Sequence, residues 1–214
     1  MEQISTTELD REALIKLRHS ILDSWTGYES QLLHIYNAIT QPGTMLHPFC
    51  VSLFSTLQNP DLKLSIVDSG VSAFIGMDAR RQVIAPSWKM LLTASHKFRI
   101  LRNKLAHSTV GVQNADGKSY ARISSSFWLK SGKIKIPYGY SAKDLEPMKI
   151  KFAYLGVHAF IFQHLVSTHI EGKLSGQELN QVFHELDIHL TERWNQIFQY
   201  PPAAHIAPPQ SSPG

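Results

Sequence analysis

The segment LIKLRHSILDSWTGYESQLLHIYNAI (residues 14–39) carries apolar side chains at steps of three or four residues over about seven helical turns. Because an α-helix turns once every 3.6 residues, this spacing places them on one side of a single long helix. Gly27 weakens that helix by about 1 kcal/mol relative to alanine, and TQPG at 40–43 is expected to end it. The apolar positions are Leu14, Leu17, Ile21, Trp25, Tyr28, Leu32, Ile35 and Ile39.

The segment that follows contains signals for two shorter helices. A short apolar helix is predicted from about Pro48 to Leu57. Asn59 is a typical N-cap residue and Pro60 is favoured at the first helical position, so a helix is expected to start there and to run toward Gly76. These elements predict a helical bundle.

The next helix is predicted to begin at Pro86 and to end near Ser108. After it, the hydrophobic period changes from that of a helix to the alternation of β-strands, with turn sequences NADG and SG between them. This pattern predicts a small antiparallel β insertion over about 109–138, which is too small to fold alone and must pack on helices. Aromatic residues alternate with lysines there, and they could stack on unpaired RNA bases or pack the sheet onto helices. They are Tyr120, Phe127, Trp128, Tyr138 and Tyr140.

Two further helices are predicted toward the C-terminus. Ser141 and Asp144 form a pair like a capping box before a helical stripe, and Ser175 and Glu178 repeat that signature. The first stripe comprises Leu145, Met148, Phe152, Leu155, Ala159, Phe162 and Val166, and the second comprises Leu179, Phe183, Leu186, Leu190, Trp194 and Ile197. We expect a mainly α fold with a β insertion after the central helix, one domain over 1–200 and a disordered Pro-rich tail over 201–214.

The composition excludes several protein classes. Apolar residues make up 43% of the chain and charged residues 18%, which is typical of globular proteins and not of disordered or fibrous ones. No apolar stretch approaches the roughly 18 residues of a membrane span, and the N-terminus lacks a secretion signal. The single cysteine, Cys50, excludes an internal disulfide and a cysteine-based zinc cage. We therefore expect a cytoplasmic protein without a membrane partner.

Positive charge is concentrated in the middle of the chain. Twelve Lys and Arg face three Asp and Glu between Lys97 and Lys151, whereas the remainder has nine positive and fourteen negative residues. This asymmetry indicates a surface for a polyanion, although lysines on solvated strands and helices would give the same count.

The string FRILRNKLAHS (98–108) contains Arg102, Asn103 and His107 in an R-N-x-x-x-H pattern. On a helical projection Asn103 and His107 face away from the apolar stripe, and Arg102 lies at its edge. A histidine can move protons near neutral pH, and a guanidinium can bind the oxygens of a pentacoordinate phosphorus, so the pattern fits RNA cleavage without a metal. The alternative is structural: His107 is favoured at a helix C-terminus, and Arg102 could pair with Glu29 or another carboxylate.

This pattern at the end of a helix, in a predicted helical bundle, resembles the HEPN superfamily (higher eukaryotes and prokaryotes nucleotide-binding domains). The first helix is also similar to that of bacterial HEPN-like proteins, with Trp25 and Glu29 at the aromatic and acidic positions. The resemblance implies a homodimer with metal-independent endoribonuclease activity on single-stranded RNA, in toxin–antitoxin or phage-defence systems and with an antitoxin or other partner protein. Some members have lost catalysis and bind RNA or protein instead.

The resemblance also implies roles for individual residues. Arg102, Asn103 and His107 would be catalytic, and Glu29 would be structural or orienting. Three cations of the same helix would contact RNA: Arg99, Lys104 and Lys97.

Neither a metal nor a cofactor is expected. The later histidines lie 6, 5, 15 and 5 residues apart, so no two are spaced to hold one ion from a single helix face. They are His158, His164, His169, His184 and His189. The segment GVQNADGK (111–118) lacks the spacing of a phosphate-binding loop and predicts a hairpin turn.

Overall fold

The computed structural model describes residues 6–40, 46–124 and 139–170. These residues form five α-helices, one short 3-10 helix and a two-stranded antiparallel sheet, which confirms the mainly α class with a small β insertion. The α-helices are α1 (Thr6–Thr40), α2 (Pro48–Thr56), α3 (Pro60–Gly76), α4 (Ala85–Ala106) and α5 (Ala142–Ile170). The 3-10 helix is Ala79–Ile84, and the strands are β1 (Thr109–Ala115) and β2 (Lys118–Ser124).

Helix α1 lies at the centre of the described structure, because it contacts the four other α-helices and both strands. Seven of the eight apolar positions of its predicted stripe are buried, and Ile39 is partly buried against the same core. The helix continues through Gly27 to Thr40. Helix α4 is central in sequence order, but α1 is the element around which the bundle is built.

Helix α5 packs along α1 and completes the core. All seven residues of its predicted stripe, from Leu145 to Val166, are buried. The Phe152 ring lies between Trp25 of α1, with ring centroids 6.1 Å apart, and Phe98 of α4, at 4.8 Å. Three helices therefore meet at one aromatic cluster, which fixes the position of α4.

The predicted helix starts are confirmed by their hydrogen bonds. Asn59 caps α3 by accepting a bond from the Asp61 amide at 2.8 Å, with Pro60 at the first helical position. At the start of α5, Asp144 Oδ2 accepts bonds from the backbone N–H and the hydroxyl of Ser141, both at 2.7 Å. Local sequence therefore sets both helix starts.

The β insertion begins as a tight hairpin. Strands β1 and β2 pair from Thr109–Ser124 to Ala115–Lys118. Asp116 and Gly117 have φ angles of 51° and 71°, so both central turn residues are left-handed, as in the type I′ turns that suit the twist of a hairpin. The sheet is anchored on the bundle, because Ala121 and Ile123 of β2 are buried in the common core.

Several predictions concern segments outside the described ranges. The strands reach Ser124, so the rest of the predicted β insertion, with Phe127, Trp128 and Tyr138, lies outside them. Tyr140 packs against the core, as the packing interpretation of the aromatic residues expects. The predicted helix over 175–197 and the tail over 201–214 also lie outside, and the single domain over 1–200 therefore stays a prediction.

No helix within residues 6–40, 46–124 and 139–170 combines the length and the apolar character needed to cross a bilayer.

His158 should make the stability of the fold depend on pH. Its side chain is 1% exposed, its Nε2 lies 3.3 Å from Ser87 Oγ, and burial lowers its pKa to about 4. In the unfolded chain its pKa is about 6.5, so between these values the unfolded chain binds a proton that the folded chain does not. The free energy of unfolding should therefore fall as the pH falls from 6.5, by about 3 kcal/mol at pH 4.

Urea unfolding of the wild type and of His158→Leu, each at pH 7 and at pH 4.5, measures this effect. The wild type should lose more stability between the two pH values than the variant does. Equal losses would show that His158 is not the group responsible.

Candidate nucleic-acid interface at the end of helix α4

The last turn of α4 brings His107 to the surface. The His107 N–H donates to the carbonyl of Asn103 at 3.1 Å, and the Ser108 N–H donates to that of Leu105 at 3.3 Å. The buried Ser108 hydroxyl donates to the Lys104 carbonyl. The chain then enters β1, and the His107 side chain is left exposed.

Arg18 of α1 binds the same end of α4. Its Nε donates to the Leu105 carbonyl at 2.8 Å and its Nη2 donates to the Ala106 carbonyl at 2.9 Å. The last carbonyls of a helix have no partner within it, so a side chain that donates to two of them fixes the helix end in place. Arg18 therefore fixes the backbone that carries His107 to α1.

Sequence reasoning missed Arg18, although a signal was present. Arg18 lies one residue after Leu17 and three before Ile21, which places it at the edge of the apolar arc of α1. An arginine at the edge of such an arc indicates an acceptor on a neighbouring element, because a partly buried guanidinium needs hydrogen bonds.

Arg102 and Asn103 are joined by a hydrogen bond. Arg102 Nη1 donates to Asn103 Oδ1 at 3.1 Å, and both residues are half-buried. The bond uses the amide oxygen of Asn103, and its amide NH₂ can donate to another group. The buried Nε of Arg102 has no acceptor within the described ranges. Because that Nε is buried, the donors that this pair offers to an anion are the terminal nitrogens of Arg102 and the amide NH₂ of Asn103.

His107 lies one helical turn beyond Asn103, which puts the two residues on the same side of α4. Leu105 is fully buried on the opposite side. The three predicted catalytic residues therefore lie within the last two turns of α4 and its C-cap: a hydrogen-bonded pair, Arg102 and Asn103, and the exposed His107 one turn beyond Asn103.

The outer face of α4 is basic and contains no acid. The helix has no aspartate or glutamate, and its cations are Lys89, Lys97, Arg99, Arg102 and Lys104. Lys89, Lys97 and Lys104 are exposed, as is His96. At a rise of 1.5 Å per residue, Lys89 and Lys104 are about 22 Å apart along the helix. This face can bind an extended polyanion, and Lys89 extends it beyond the residues predicted from sequence.

Two of the predicted site residues are paired within the chain. Arg99 Nη1 pairs with Asp61 Oδ1 at the start of α3, which compensates its charge there, and its contact with RNA stays a prediction. Glu29 accepts bonds from Trp25 Nε1 at 2.6 Å and from Lys63 Nζ at 2.7 Å. Glu29 therefore joins α1 to α3 in a structural role and is not the partner of Arg102.

Replacing Arg18 with methionine should destabilise the protein by about 1–3 kcal/mol, because it removes two hydrogen bonds to carbonyls at the end of α4, of which the Leu105 carbonyl keeps only its bond from the Ser108 N–H. Urea unfolding measures the loss. Arg11→Met is the matched control on the same helix, since Arg11 forms a partly exposed ion pair with Glu8. This substitution should lower the free energy of unfolding by less than about 0.5 kcal/mol. Equal effects of the two substitutions would contradict the capping role.

Within the described ranges, no group of three or more His, Cys, Asp or Glu side chains is arranged to hold a metal ion. Comparisons of the chain with protein-family models, with curated proteins and with solved structures find no match. The function must therefore be argued from the geometry of the α4 end and from the motif it carries.

Proposed function

We propose that this protein is a metal-independent endoribonuclease of the HEPN type that cleaves single-stranded RNA. The observation that supports the proposal is the hydrogen-bonded pair Arg102–Asn103 near the end of α4, with the exposed His107 one turn beyond Asn103, on a helix without acidic residues. The exposed imidazole of His107 takes the proton from a ribose 2′-hydroxyl. The 2′-oxygen then attacks the adjacent phosphorus, and the bond to the 5′-oxygen breaks.

Arg102 and Asn103 stabilise the negative charge that develops on the non-bridging phosphate oxygens. A guanidinium binds two such oxygens in a forked geometry, and the free amide NH₂ of Asn103 adds another donor. Their mutual hydrogen bond holds the donors in place before the RNA arrives. The products are a 2′,3′-cyclic phosphate and a 5′-hydroxyl.

The leaving 5′-oxygen must gain a proton, so the reaction requires an acid as well as a base. His96 is exposed on the same helix, but it lies eleven residues, or about 16 Å, from His107 and cannot reach the same phosphate. We propose that His107 of the partner subunit supplies the second imidazole in a two-fold homodimer. Sedimentation at micromolar concentration tests this: a dimer is expected, and a monomer with full activity would contradict it.

The exposed lysines of α4 hold the RNA on either side of the cleaved bond. Lys89, Lys97 and Lys104 neutralise phosphates, so binding must weaken steeply as the salt concentration rises. We place the activity in a toxin–antitoxin or phage-defence setting, with growth arrest upon induction of the wild-type chain as the cellular readout.

The direct test is incubation of the purified protein with single-stranded RNA of mixed sequence in EDTA. Fragments that end in 2′,3′-cyclic phosphate, identified by mass spectrometry, are expected. Tight RNA binding without any cleavage would overturn the nuclease proposal.

A second function, RNA or protein binding without catalysis, is favoured by one observation. Arg99 is paired with Asp61, and Arg102 is bonded to Asn103, so both guanidiniums already have partners within the chain. In that case a triple variant should bind RNA more weakly, and its RNA affinity should depend less on salt concentration. Its substitutions are Lys89→Gln, Lys97→Gln and Lys104→Gln. His107→Ala should change neither the RNA affinity nor its dependence on salt.

A further inference from the structure

The β1–β2 hairpin has an inner face, which packs on the bundle, and an outer face. Ala121 and Ile123 of β2 are buried in the common core, so they define the inner face. Because side chains along a strand alternate between its two faces, Tyr120 and Arg122 lie on the outer face. The register places Gly111 of β1 opposite Arg122, and directly opposite residues share a face. The outer face thus combines an aromatic ring, a guanidinium and a position without a side chain.

Tyr120 and Arg122 form a stacked pair on this face. The guanidinium carbon of Arg122 lies 5.4 Å from the centroid of the Tyr120 ring, and Arg122 Nη1 donates to the Ala121 carbonyl at 2.9 Å. Arg122 forms no ion pair with a carboxylate of residues 6–40, 46–124 or 139–170. Neither strand contains an acidic residue. The positive charge of Arg122 is therefore available to an anion that approaches the outer face.

Gly111 leaves the space beside this pair open. A Cβ at position 111 would meet no atom of the described residues within 4 Å. The two strands pair through this position without a bulge, and the φ angle of Gly111 is not positive, so neither backbone geometry nor close packing requires a glycine. A glycine inside a regular strand weakens it and can mark a place where a ligand approaches the backbone.

We propose that the outer face of the hairpin is a binding site for an unpaired RNA base, which lies over Gly111 and stacks against Tyr120 and Arg122. Directly opposite residues of a hairpin are about 4.5–5.5 Å apart and diagonal neighbours about 7–8 Å, so a base over Gly111 reaches both side chains. Aromatic rings and arginine guanidiniums are the groups on which proteins stack unpaired bases. Arg122 also attracts the adjoining phosphate.

The site is continuous with the end of α4. Gly111 follows His107 by four residues, so their Cα atoms are at most about 14 Å apart. One RNA strand can therefore contact His107 and the hairpin together. The choice of RNA as the ligand rests on the proposed function of the α4 end. A base within a duplex is already paired and stacked, so the site selects single strands.

The test compares two fluorescein-labelled RNAs of equal length and charge, one complete and one with abasic ribose at its central positions. Fluorescence anisotropy measures their binding to His107→Ala, so that neither RNA is cleaved. The complete RNA should bind about tenfold more tightly, because only its bases can stack. Equal affinities, or no binding of either RNA, would overturn the proposal. Cleavage by the wild type is measured separately, so failure of the nuclease proposal leaves this comparison intact.

Gly111→Val, in the same background, separates RNA binding from folding. Position 111 is open and valine suits a β-strand, so the free energy of unfolding should not fall. Affinity for the complete RNA should drop about tenfold, to that for the abasic RNA. Val112→Ile is the control, because it adds a methyl group to the inner face of the same strand, where Val112 is 44% exposed. Unchanged RNA affinity of Gly111→Val would refute the site.

Substitutions of Tyr120 distinguish stacking from attraction by charge. Tyr120→Leu keeps an apolar side chain but removes the ring, so affinity for the complete RNA should fall about fivefold or more, and affinity for the abasic RNA should stay within about twofold. Tyr120→Trp keeps a ring and should bind the complete RNA within about threefold of the unsubstituted background. Equal losses in the two variants would indicate a structural role for Tyr120 and contradict stacking.

Discussion

Replacement of His107 with alanine is expected to slow RNA cleavage by about 10²–10⁴-fold, because the substitution removes the group that takes the proton from the 2′-hydroxyl. The structure separates this effect from a folding defect. The His107 side chain is exposed and has no hydrogen bond or ion pair within the described ranges. The free energy of unfolding should therefore change by less than about 0.5 kcal/mol.

His96→Ala is the matched control for this prediction. Both histidines are exposed on the outer side of α4, and both substitutions remove one imidazole from the basic face. Initial cleavage rates on end-labelled RNA, measured at equal occupancy, should fall for His107→Ala and stay within about twofold for His96→Ala. Equal cutting by His107→Ala and the wild type would exclude His107 as the proton-transfer group.

The largest loss of stability is expected for Phe152→Ala. The Phe152 side chain is fully buried and packs against Trp25 and Phe98, so its truncation leaves a cavity where α1, α4 and α5 meet. Truncation of a buried phenylalanine to alanine costs about 3–5 kcal/mol. Urea unfolding should show this loss, and cleavage should disappear at temperatures where the variant is unfolded.

Phe49→Ala controls for the loss of an aromatic ring as such. Phe49 is largely exposed, so its removal should cost no more than about 0.5 kcal/mol. A small effect of Phe152→Ala would mean that the three helices do not share the core described above.

The features that sequence predicted well depend on neighbours in the chain. The Asn59 cap, the Pro60 start and the turn at Asp116–Gly117 are set by the conformational preferences of a few adjacent residues. The burial of Leu14 to Ile35 follows from helical period alone, because the apolar side of a helix must find a core.

The features that sequence could not provide are contacts between helices. Arg99 meets Asp61, and Glu29 meets Lys63, only because α3 packs against α4 and α1 with a particular rotation. A sequence contains many carboxylates with which each cation could pair, and a helical projection does not show which of these pairs form. The outward position of Asn103 and His107 on α4 could be predicted, because it depends only on the period of that helix and not on which helix packs against it.

The Arg18 cap has an electrostatic consequence for anything negatively charged that approaches α4. The carboxyl end of a helix carries about half a unit of negative charge and ordinarily repels phosphate, which binds at the amino ends of helices instead. Here a cation from the neighbouring helix lies on the last two carbonyls and offsets that charge. A location that is ordinarily unfavourable for a nucleic-acid backbone thereby becomes acceptable to it.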